Sequence, residues 1–354
     1  MYPFEADKIS PKNRWYIAAY SSEISTKPFE RSFFNIPVAL YRTEAGKVVA
    51  MYGLCPHRYY PLAKGEVRGD AIVCGYHGFQ FDAKGKCICI PSQKGGANFE
   101  QPTYPLVEKG YLTWIWMGDP EKADPDLIPP YEDFGLDQPG WAVSGGDYFH
   151  LKARAQLLID NIMDLTHLPH IHHHVPGGDT FLSGKRKVVD TDFSLRQLHV
   201  MTDQPWSDFC NFLWGQESAT GNTVTINSMT DFYGPELVRI SGPWLTDGDA
   251  EVENSFSETT HGKVNFIHGM TPETDNSTHY FGLQTRNFRI DDPHFGKALG
   301  AVDVEIRLQD VDAIEAVEAR VEWASARQQE LVVVADRMAS RVRQKIKNML
   351  DLES

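Results

Sequence analysis

Short runs of apolar and β-branched residues, separated by polar turns, dominate the first 120 residues of this 354-residue chain. Runs of this length, bounded by Gly, Pro and Asp, are typical of β-strands. The predicted strands are Arg14–Tyr20, Ile36–Tyr41, Lys47–Tyr52, Ile72–Cys74, Phe79–Asp82, Cys87–Ile90 and Tyr111–Trp116. We therefore expect an all-β domain over residues 1–120, followed by a linker rich in Pro and Asp over 121–140.

Residues 141–354 combine strand-like and helical patterns. Between residues 180 and 290, apolar segments alternate with polar, Gly-rich turns, which predicts a curved antiparallel sheet. The segments are Arg186–Val189, Val224–Ile226, Leu237–Ile240, Val264–Ile267 and His279–Leu283. From 297 to 346, apolar residues recur every three or four positions, which predicts a long C-terminal helix. Its predicted contact stripe is Val304, Leu308, Val311, Ile314, Val317, Val321 and Ala324. The chain is thus predicted to be α+β.

A shorter helical pattern follows residue 156 and carries polar residues on one side. Its apolar stripe consists of Leu158, Ile162 and Leu165. Asn161, Asp164 and His167 lie three apart and would form a polar stripe on another face of the same helix. Unpaired polar groups inside a protein cost a few kcal/mol each. The pattern therefore predicts buried partners for these residues, and a metal ion would be one.

Composition restricts the class of protein. The net charge of -14 argues against binding to nucleic acid or to an anionic membrane surface, both of which require a basic face. The first residues lack the basic and apolar regions of a signal peptide, and no apolar run approaches the ~18 residues of a membrane span. Five Cys residues give no disulfide framework. We expect a cytoplasmic protein without a membrane partner.

Two short Cys and His turns suggest a metal centre. They are Cys55-Pro56-His57-Arg58 and Cys74-Gly75-Tyr76-His77, and 16 residues separate His57 from Cys74. Two thiolates and two imidazoles suit either a structural zinc ion or a two-iron cluster with one iron on Cys and one on His. Each turn carries one ligand of each kind, which favours the iron cluster, and structural zinc is the alternative.

A second group of histidines follows Leu165. His167 and His172 are five apart and could converge only if the helix breaks between them, for which Pro169 gives a reason. His170 and His174 are four apart and could form a pair without a break. Spacing leaves both pairs open, together with a surface His cluster beside a core helix.

These motifs resemble those of one enzyme family. Cys-x-His-x16-Cys-x2-His resembles the Rieske motif of ring-hydroxylating and O-demethylating non-haem iron oxygenases, and Asn-x2-Asp-x2-His-x4-His at 161–172 resembles their catalytic-domain signature. The stretch 309–316 resembles the segment that holds a carboxylate ligand in the family, with the match on Asp310. The resemblance spans nearly the whole chain, within the subgroup of vanillate O-demethylase, dicamba O-demethylase and toluenesulfonate methyl-monooxygenase oxygenase components.

The resemblance implies a role for each matching residue. A [2Fe-2S] cluster would be held by Cys55, His57, Cys74 and His77, and a mononuclear Fe(II) by His167, His172 and Asp310. Asn161 and Asp164 would be catalytic, with Asp164 joining the iron site to the Rieske cluster of a neighbouring subunit. The motif gives no role to His170, His173 or His174.

The resemblance also implies fold, partners and reaction. The C-terminal domain, 141–354, would have a helix-grip-like fold, and the subunits would form a homotrimer. Electrons would come from NAD(P)H through a flavin and iron–sulfur reductase, or through a reductase and a ferredoxin. With O2, the enzyme would mono-oxygenate an aromatic acid by O-demethylation or methyl hydroxylation; ring dihydroxylation and a Rieske electron carrier without oxygenase chemistry are the alternatives. Arg286 and Arg289 would bind the anionic substrate, unless they form structural ion pairs.

Overall fold

A computed structural model describes residues 9–172, 181–182, 184–191, 194–215, 223–246 and 261–353 of the chain. The N-terminal part is built from three small antiparallel sheets. The strand orders are β1-β11-β10, β2-β3-β4-β9 and β5-β6-β7-β8. The strands are β1 (Trp15–Tyr20), β2 (Phe29–Phe33), β3 (Ile36–Arg42), β4 (Val48–Tyr52), β5 (Glu66–Arg68), β6 (Ala71–Val73), β7 (Gln80–Phe81), β8 (Cys87–Cys89), β9 (Thr103–Tyr104), β10 (Leu106–Lys109) and β11 (Leu112–Trp116).

Each of the seven predicted runs overlaps a strand, which confirms the all-β domain. The patterns missed β2, β5, β9 and β10. Strand β2 reads Phe-Glu-Arg-Ser-Phe, and its charged residues hid it from a search for apolar runs. These strands lie at sheet edges or are very short, where tertiary pairing decides the conformation more than propensity does.

Residues 121–140 are packed against both parts of the chain. A short helix, α1 (Tyr131–Phe134), lies within this segment. Ile128, Tyr131, Phe134 and Leu136 are buried in one cluster with residues of β1 and β11 and with residues of the C-terminal sheet. The segment expected to be a linker thus contributes side chains to the hydrophobic core. Their burial stabilises the contact between the N-terminal sheet that contains β1 and β11 and the C-terminal sheet.

The C-terminal part is a seven-stranded antiparallel sheet with helices beside it. The strands are β12 (Ala142–Leu151), β13 (Lys185–Asp190), β14 (Leu195–Pro205), β15 (Thr223–Gly234), β16 (Leu237–Thr246), β17 (Val264–Thr274) and β18 (Ser277–Arg286). Their order is β12-β18-β17-β16-β15-β14-β13. The five predicted segments are all strands, whereas β12 and β14 were not predicted. The α+β fold class is confirmed.

Five further helices lie among the described residues of this part. They are α2 (Ala155–Met163), α3 (Leu168–Ile171), α4 (Asp208–Trp214), α5 (Pro293–Ser325) and α6 (Arg337–Leu352). Helix α2 packs on the sheet and on both α5 and α6 through one hydrophobic cluster. None of the described helices is long and apolar enough to cross a membrane.

The expected single helix over 297–346 is two helices. Helix α5 ends at Ser325, and α6 begins at Arg337. The break contains Val332, Val333 and Val334, whose β-branched side chains disfavour a helix. The Asp336 carboxylate then accepts the Val333 backbone N–H over 2.6 Å and turns the chain into α6.

The predicted contact stripe of α5 is also partly wrong. Leu308 and Val317 are about half exposed. The buried face instead carries Leu299, Asp303, Arg307, Asp310 and Ile314. Charged residues in a helix usually face water, so the apolar pattern gave no reason to expect Asp303 and Arg307 on the buried face. Here they pair with each other and with residues of the sheet, which lowers the cost of their burial.

Candidate metal centres

The two Cys and His turns have the same backbone structure. Tyr59 N–H donates to Cys55 O over 2.8 Å, and Gly78 N–H donates to Cys74 O over 3.0 Å. In each turn the Cys N–H also bonds to the carbonyl five residues on. Tyr59 and Gly78 both have positive φ, 56° and 70°, because each closes its turn at the same position. Glycine adopts this conformation freely, whereas tyrosine does so at a cost.

The donors of the two turns converge. The imidazole rings of His57 and His77 lie 4.6 Å apart between centroids and are exposed. Cys55 and Cys74 are buried in one hydrophobic cluster, and both are free thiols. The backbone N–H groups of His57 and Arg58 bond to the Cys55 sulfur. Two inner thiols and two outer imidazoles are the donor set of a Rieske [2Fe-2S] cluster, so these residues fit the group.

The second centre starts where α2 stops. Asp164 has extended backbone angles, φ -125° and ψ 95°, and ends the helix. A 3-10 turn over Leu165–His167 and the short helix α3 follow. The expected polar stripe on a single helix is therefore interrupted at Asp164. The break is not at Pro169, which occupies the first turn of α3, where its missing N–H needs no partner.

His167 ends the 3-10 turn, and His172 follows α3 with non-helical backbone angles, φ -103° and ψ 45°; the two side chains lie together. Their ring centroids are 5.2 Å apart, and both Nε2 atoms face the carboxylate of Asp310 on α5. Asp310 Oδ1 is 3.4 Å from His167 Nε2 and 3.1 Å from His172 Nε2. Two ligands at right angles on one ion, with bonds of about 2.1 Å, lie about 3.0 Å apart. Both distances to the carboxylate are close to this value, and all three ligand atoms lie within 4.8 Å of one another, so the three residues form a candidate site for one metal ion.

Hydrogen bonds fix which ring nitrogens are available. His167 Nδ1 is 2.7 Å from the backbone oxygen of Asp164, and His172 Nδ1 is 2.8 Å from Gln309 Oε1. Both oxygens can only accept, so each Nδ1 carries the proton and each Nε2 keeps its lone pair. His172 Nε2 is buried without a hydrogen-bond partner. An Nε2 without a hydrogen bond, on a ring whose Nδ1–H donates to an oxygen atom, is the arrangement expected of a histidine that binds a metal.

Asn161 and Asp164 support this cluster. The Asn161 amide donates to Asp310 Oδ1 over 2.9 Å and orients the carboxylate. The Asp164 carboxylate accepts the Thr166 N–H over 3.0 Å and caps the 3-10 turn that carries His167. Burial lowers the pKa of His167, more strongly than nearby Asp310 raises it. Asp164 also lines a small polar surface pocket of about 150 Å³ that reaches His167.

A larger cavity of about 460 Å³ lies over the three ligands. This volume is within the range of sites for small organic molecules. Apolar side chains dominate its lining; among them are Ile162, Leu165, Phe209, Ile226, Ile240 and Phe266. His268 also lines it, and its Nε2 atom is buried without a hydrogen-bond partner. Arg307 lies in the lining as well, where its guanidinium forms an ion pair with the carboxylate of Asp303.

The structure does not bring Arg286 and Arg289 to this cavity. The buried Arg286 guanidinium donates to Ser144 Oγ and to the carbonyls of Arg289 and Asp292. Arg289 forms an ion pair with Asp292 over 2.6 Å and covers the ring of Phe295. Both arginines therefore secure the start of α5, as in the structural alternative.

The remaining histidines of the group divide into two cases. His170 is exposed on α3 and makes no contact with the ligand cluster among the described residues. His173 and His174 lie outside the described residues. Sequence reasoning missed Gln309, His268 and Arg307. Only the position of Gln309 next to Asp310 could have suggested a role.

Comparisons with known proteins agree with this geometry. Residues 14–105 match the family model of the Rieske [2Fe-2S] domain, and residues 151–352 match that of the vanillate O-demethylase oxygenase C-terminal domain. The oxygenase component of dicamba O-demethylase from Stenotrophomonas maltophilia is 32% identical over 97% of this chain and 98% of its own length.

Solved structures extend the similarity to the whole fold. Dicamba monooxygenase bound to 3,6 dichlorosalicylic acid has a TM-score of 0.86 and 30% identity, with 97% of this chain and 98% of that chain covered. A structure of dicamba monooxygenase with non-heme iron and dicamba has a TM-score of 0.77 and 29% identity, with the same coverage. The cofactors of this enzyme class are a Rieske [2Fe-2S] cluster and a non-haem iron. The chain belongs to the Rieske non-haem iron oxidoreductases, as an oxygenase component of the vanillate and dicamba O-demethylase family.

Proposed function

We propose that this chain is the terminal oxygenase that mono-oxygenates an aromatic acid, by O-demethylation of a methoxy group or hydroxylation of a methyl group. The observation that supports it most is the cluster of His167, His172 and Asp310 at an apolar cavity large enough for one aromatic ring with its substituents. In this proposal these residues hold Fe(II), and Cys55, His57, Cys74 and His77 hold the cluster. When bound, the iron activates O2 and the cluster supplies an electron.

The chain's own residues perform three tasks around these groups. Gln309 and the Asp164 carbonyl hold the two imidazoles in the orientation that presents Nε2, and Asn161 holds the carboxylate. The apolar lining excludes water and places the substrate C–H bond. Both tasks limit the reaction to a substrate held in one orientation, because positioning supplies much of the rate of such reactions.

His268 is proposed to perform the third task, which is to recognise the substrate. His268 lines the cavity, and its Nε2 has no hydrogen-bond partner among the described residues. A single directed hydrogen bond would fix the ring of an aromatic substrate that carries an oxygen acceptor. A carboxylate is the strongest such acceptor, because a bond to an ionised group is about twice as strong as a neutral one. A related enzyme binds 3,6 dichlorosalicylic acid, which supports this class.

The partners follow from the same assignment. Relatives are described as oxygenase components, so they work with a separate electron donor. We propose a reductase, alone or with a ferredoxin, fed by NAD(P)H. We also propose a homotrimer in which Asp164 of one subunit faces His77 of the next. Sedimentation of the holoenzyme tests the trimer, and a monomer at micromolar concentration would contradict it.

The test of function is a single turnover of chemically reduced holoenzyme with 18O2. O-demethylation requires one O2, two electrons and two protons for each methoxy group, and gives a phenol, formaldehyde and water. The probe substrates are 2-methoxybenzoic acid, 4-methylbenzoic acid and benzoic acid. One labelled oxygen in formaldehyde or in the benzylic alcohol would support the proposal. A diol from benzoic acid would instead identify a ring dioxygenase.

A matched variant separates the oxygenase from an electron carrier. His172→Ala should keep the cluster and form no product, whereas His170→Ala should behave as the wild type because His170 is exposed. A fully metallated wild-type protein that oxygenates none of these aromatic compounds would contradict the proposal and favour the electron carrier.

A further inference from the structure

His268 is held between α5 and the sheet by contacts at one ring nitrogen. Its Nδ1 atom is 2.9 Å from Nη1 of Arg307 and 2.7 Å from the hydroxyl of Tyr280. Its Nε2 atom has no partner among the described residues. The two nitrogens of this cavity-lining ring therefore have different surroundings: Nδ1 contacts Arg307 and Tyr280, whereas Nε2 has no partner among the described residues.

Arg307 is itself fixed from several directions. Its Nε donates to Asp303 Oδ2 over 2.5 Å, and its Nη2 donates to the carbonyl of Ile267 over 3.2 Å. Asp303 also accepts a hydrogen bond from the Gln284 amide. Arg307 and Asp303 are both buried, one turn apart on the same face of α5. The guanidinium thus has little freedom to turn away from His268.

The identity of these partners determines where the imidazole proton lies. A guanidinium has only protons to offer, so Nδ1 of His268 must present its lone pair. The Tyr280 hydroxyl can donate or accept, so it would tolerate either tautomer. Burial and the charge of Arg307 lower the pKa of His268 well below its ordinary value, which keeps the ring neutral. A neutral ring with an accepting Nδ1 carries its proton on Nε2.

We infer that Asp303 and Arg307 are positioning residues that lock His268 in the Nε2–H tautomer and so make it a hydrogen-bond donor toward the substrate. The inference rests on the proposed function in one respect, that the acceptor is an oxygen of the aromatic substrate. A buried ion pair is a poor source of stability compared with apolar residues of the same size. Its location behind His268, whose Nε2 has no partner among the described residues, accounts for the ion pair as a determinant of specificity.

The first test reads the tautomer directly and needs no substrate. Histidine Raman bands in the holoenzyme distinguish the two neutral tautomers and the imidazolium, and the signal of His268 is obtained by subtracting the spectrum of His268→Phe. The wild type should show only Nε2–H. For Arg307→Met, the His268 signal is obtained by subtracting the spectrum of the double variant Arg307→Met/His268→Phe. It should show a mixture that includes the Nδ1–H tautomer or the imidazolium. Tyr280→Phe should still show Nε2–H alone, and Arg307→Lys should retain it.

The outcomes of this test are decisive. Pure Nε2–H in Arg307→Met would overturn the inference. Exposed His170 serves as the control. Its signal, obtained by subtracting the spectrum of His170→Phe, should be the same in the wild type and in Arg307→Met. If Arg307→Met does not fold, Asp303→Asn is the second variant, since it keeps the shape of the side chain but releases the guanidinium. Iron content and melting temperature of every variant report whether the fold is retained.

The second test measures discrimination between 2-methoxybenzoic acid and 2-methylanisole, in which a methyl group replaces the carboxylate. His268→Phe should reduce the preference for the acid about 10-fold to 100-fold, as expected when a hydrogen bond to a charged group is lost. Arg307→Met should reduce it about 3-fold to 10-fold in the wild type and less than 2-fold in His268→Phe, because Arg307 acts through His268.

The two tests separate failure of this inference from failure of the proposed function. An equal loss in both backgrounds would show that Arg307 has only a structural role. Unchanged discrimination in His268→Phe, in an enzyme that oxygenates both compounds, would remove His268 from substrate recognition. If the wild type oxygenates neither compound, the proposed function fails, while the Raman result still decides the tautomer.

Discussion

The Nδ1 atom of His172 donates a hydrogen bond to Oε1 of Gln309 over 2.8 Å, across 137 positions of the sequence. The bond joins the segment after α2 to α5, the helix that also provides Asp310. Because the amide oxygen only accepts, it fixes the ring proton on Nδ1 and leaves Nε2 for the metal. The geometry of the candidate iron site therefore depends on how two distant helices pack.

Gln309→Leu should weaken iron binding about 10-fold to 100-fold, since the loss of a hydrogen bond behind a ligand imidazole has this effect in other metal sites. Gln309→Glu keeps the accepting oxygen and should retain most of the affinity. Retention of the mononuclear iron in the presence of a chelator measures the affinity of both variants. The sulfide content, which reports the [2Fe-2S] cluster, should be unchanged. Equal retention by Gln309→Leu and the wild type would contradict this role.

The choice of ligand histidines has its own test. His172→Ala should lose the mononuclear iron and keep the [2Fe-2S] cluster, because His172 Nε2 is a buried atom beside Asp310. His170→Ala should keep both. Iron and sulfide analysis of the two proteins, side by side, measures the outcome. Loss of mononuclear iron from His170→Ala would show that the wrong histidine had been assigned.

Asp164→Asn separates metal binding from electron transfer. An asparagine keeps an oxygen for the Thr166 N–H and leaves the backbone carbonyl that orients His167, so both metals should remain bound. We expect the charge change to abolish transfer of the cluster electron in turnover. Stopped-flow reoxidation of the reduced cluster, with substrate and O2, is the measurement. Full turnover would remove Asp164 from the electron path.

His199 should make the protein sensitive to acid. It is buried on β14 with no partner for either ring nitrogen among the described residues. Burial, with a contribution from Arg186, lowers its pKa to about 4. The unfolded chain, with an ordinary pKa of about 6.5, takes up a proton as the pH falls below that value, whereas the folded chain does so only near 4. The contribution of neutral His199 to the free energy of unfolding is therefore fully present above pH 6.5 and is lost as the pH falls from 6.5 to 4.

The corresponding experiment is urea unfolding at pH 7.5 and pH 5.5. His199→Phe should lose less stability than the wild type over this range, by about 1 kcal/mol. His170→Phe, which replaces an exposed histidine, should lose as much as the wild type. The same pH dependence in His199→Phe and the wild type would show that His199 takes up its proton without unfolding.

The sequence predicted those features whose chemistry is local. Each Cys and His turn is closed by bonds within five residues, so motif and structure coincide. Spacing could not choose between the pair His167 and His172 and the pair His170 and His174, because the choice depends on where the chain leaves α2 and where α3 ends. The predicted break at Pro169 was wrong, since proline is tolerated in the first turn of a helix.

The buried face of α5 was not predictable from its pattern. Asp303 and Arg307 look like solvent-facing charges in sequence, and their partner His268 is 39 positions from Arg307. Similarly, Arg286 and Arg289 were expected to meet an anionic substrate, but they secure the start of α5. In each case a side chain's role is set by a partner that only the folded chain supplies.

The most direct test of the two-centre account is the iron, zinc and acid-labile sulfide content of the anaerobically purified protein, with its visible spectrum before and after dithionite. Protein with both centres filled should contain about three irons and two sulfides per chain and have a red-brown colour that bleaches on reduction. Two irons with two sulfides in protein supplied with Fe(II) would contradict the site of His167, His172 and Asp310. Zinc without sulfide would contradict both centres.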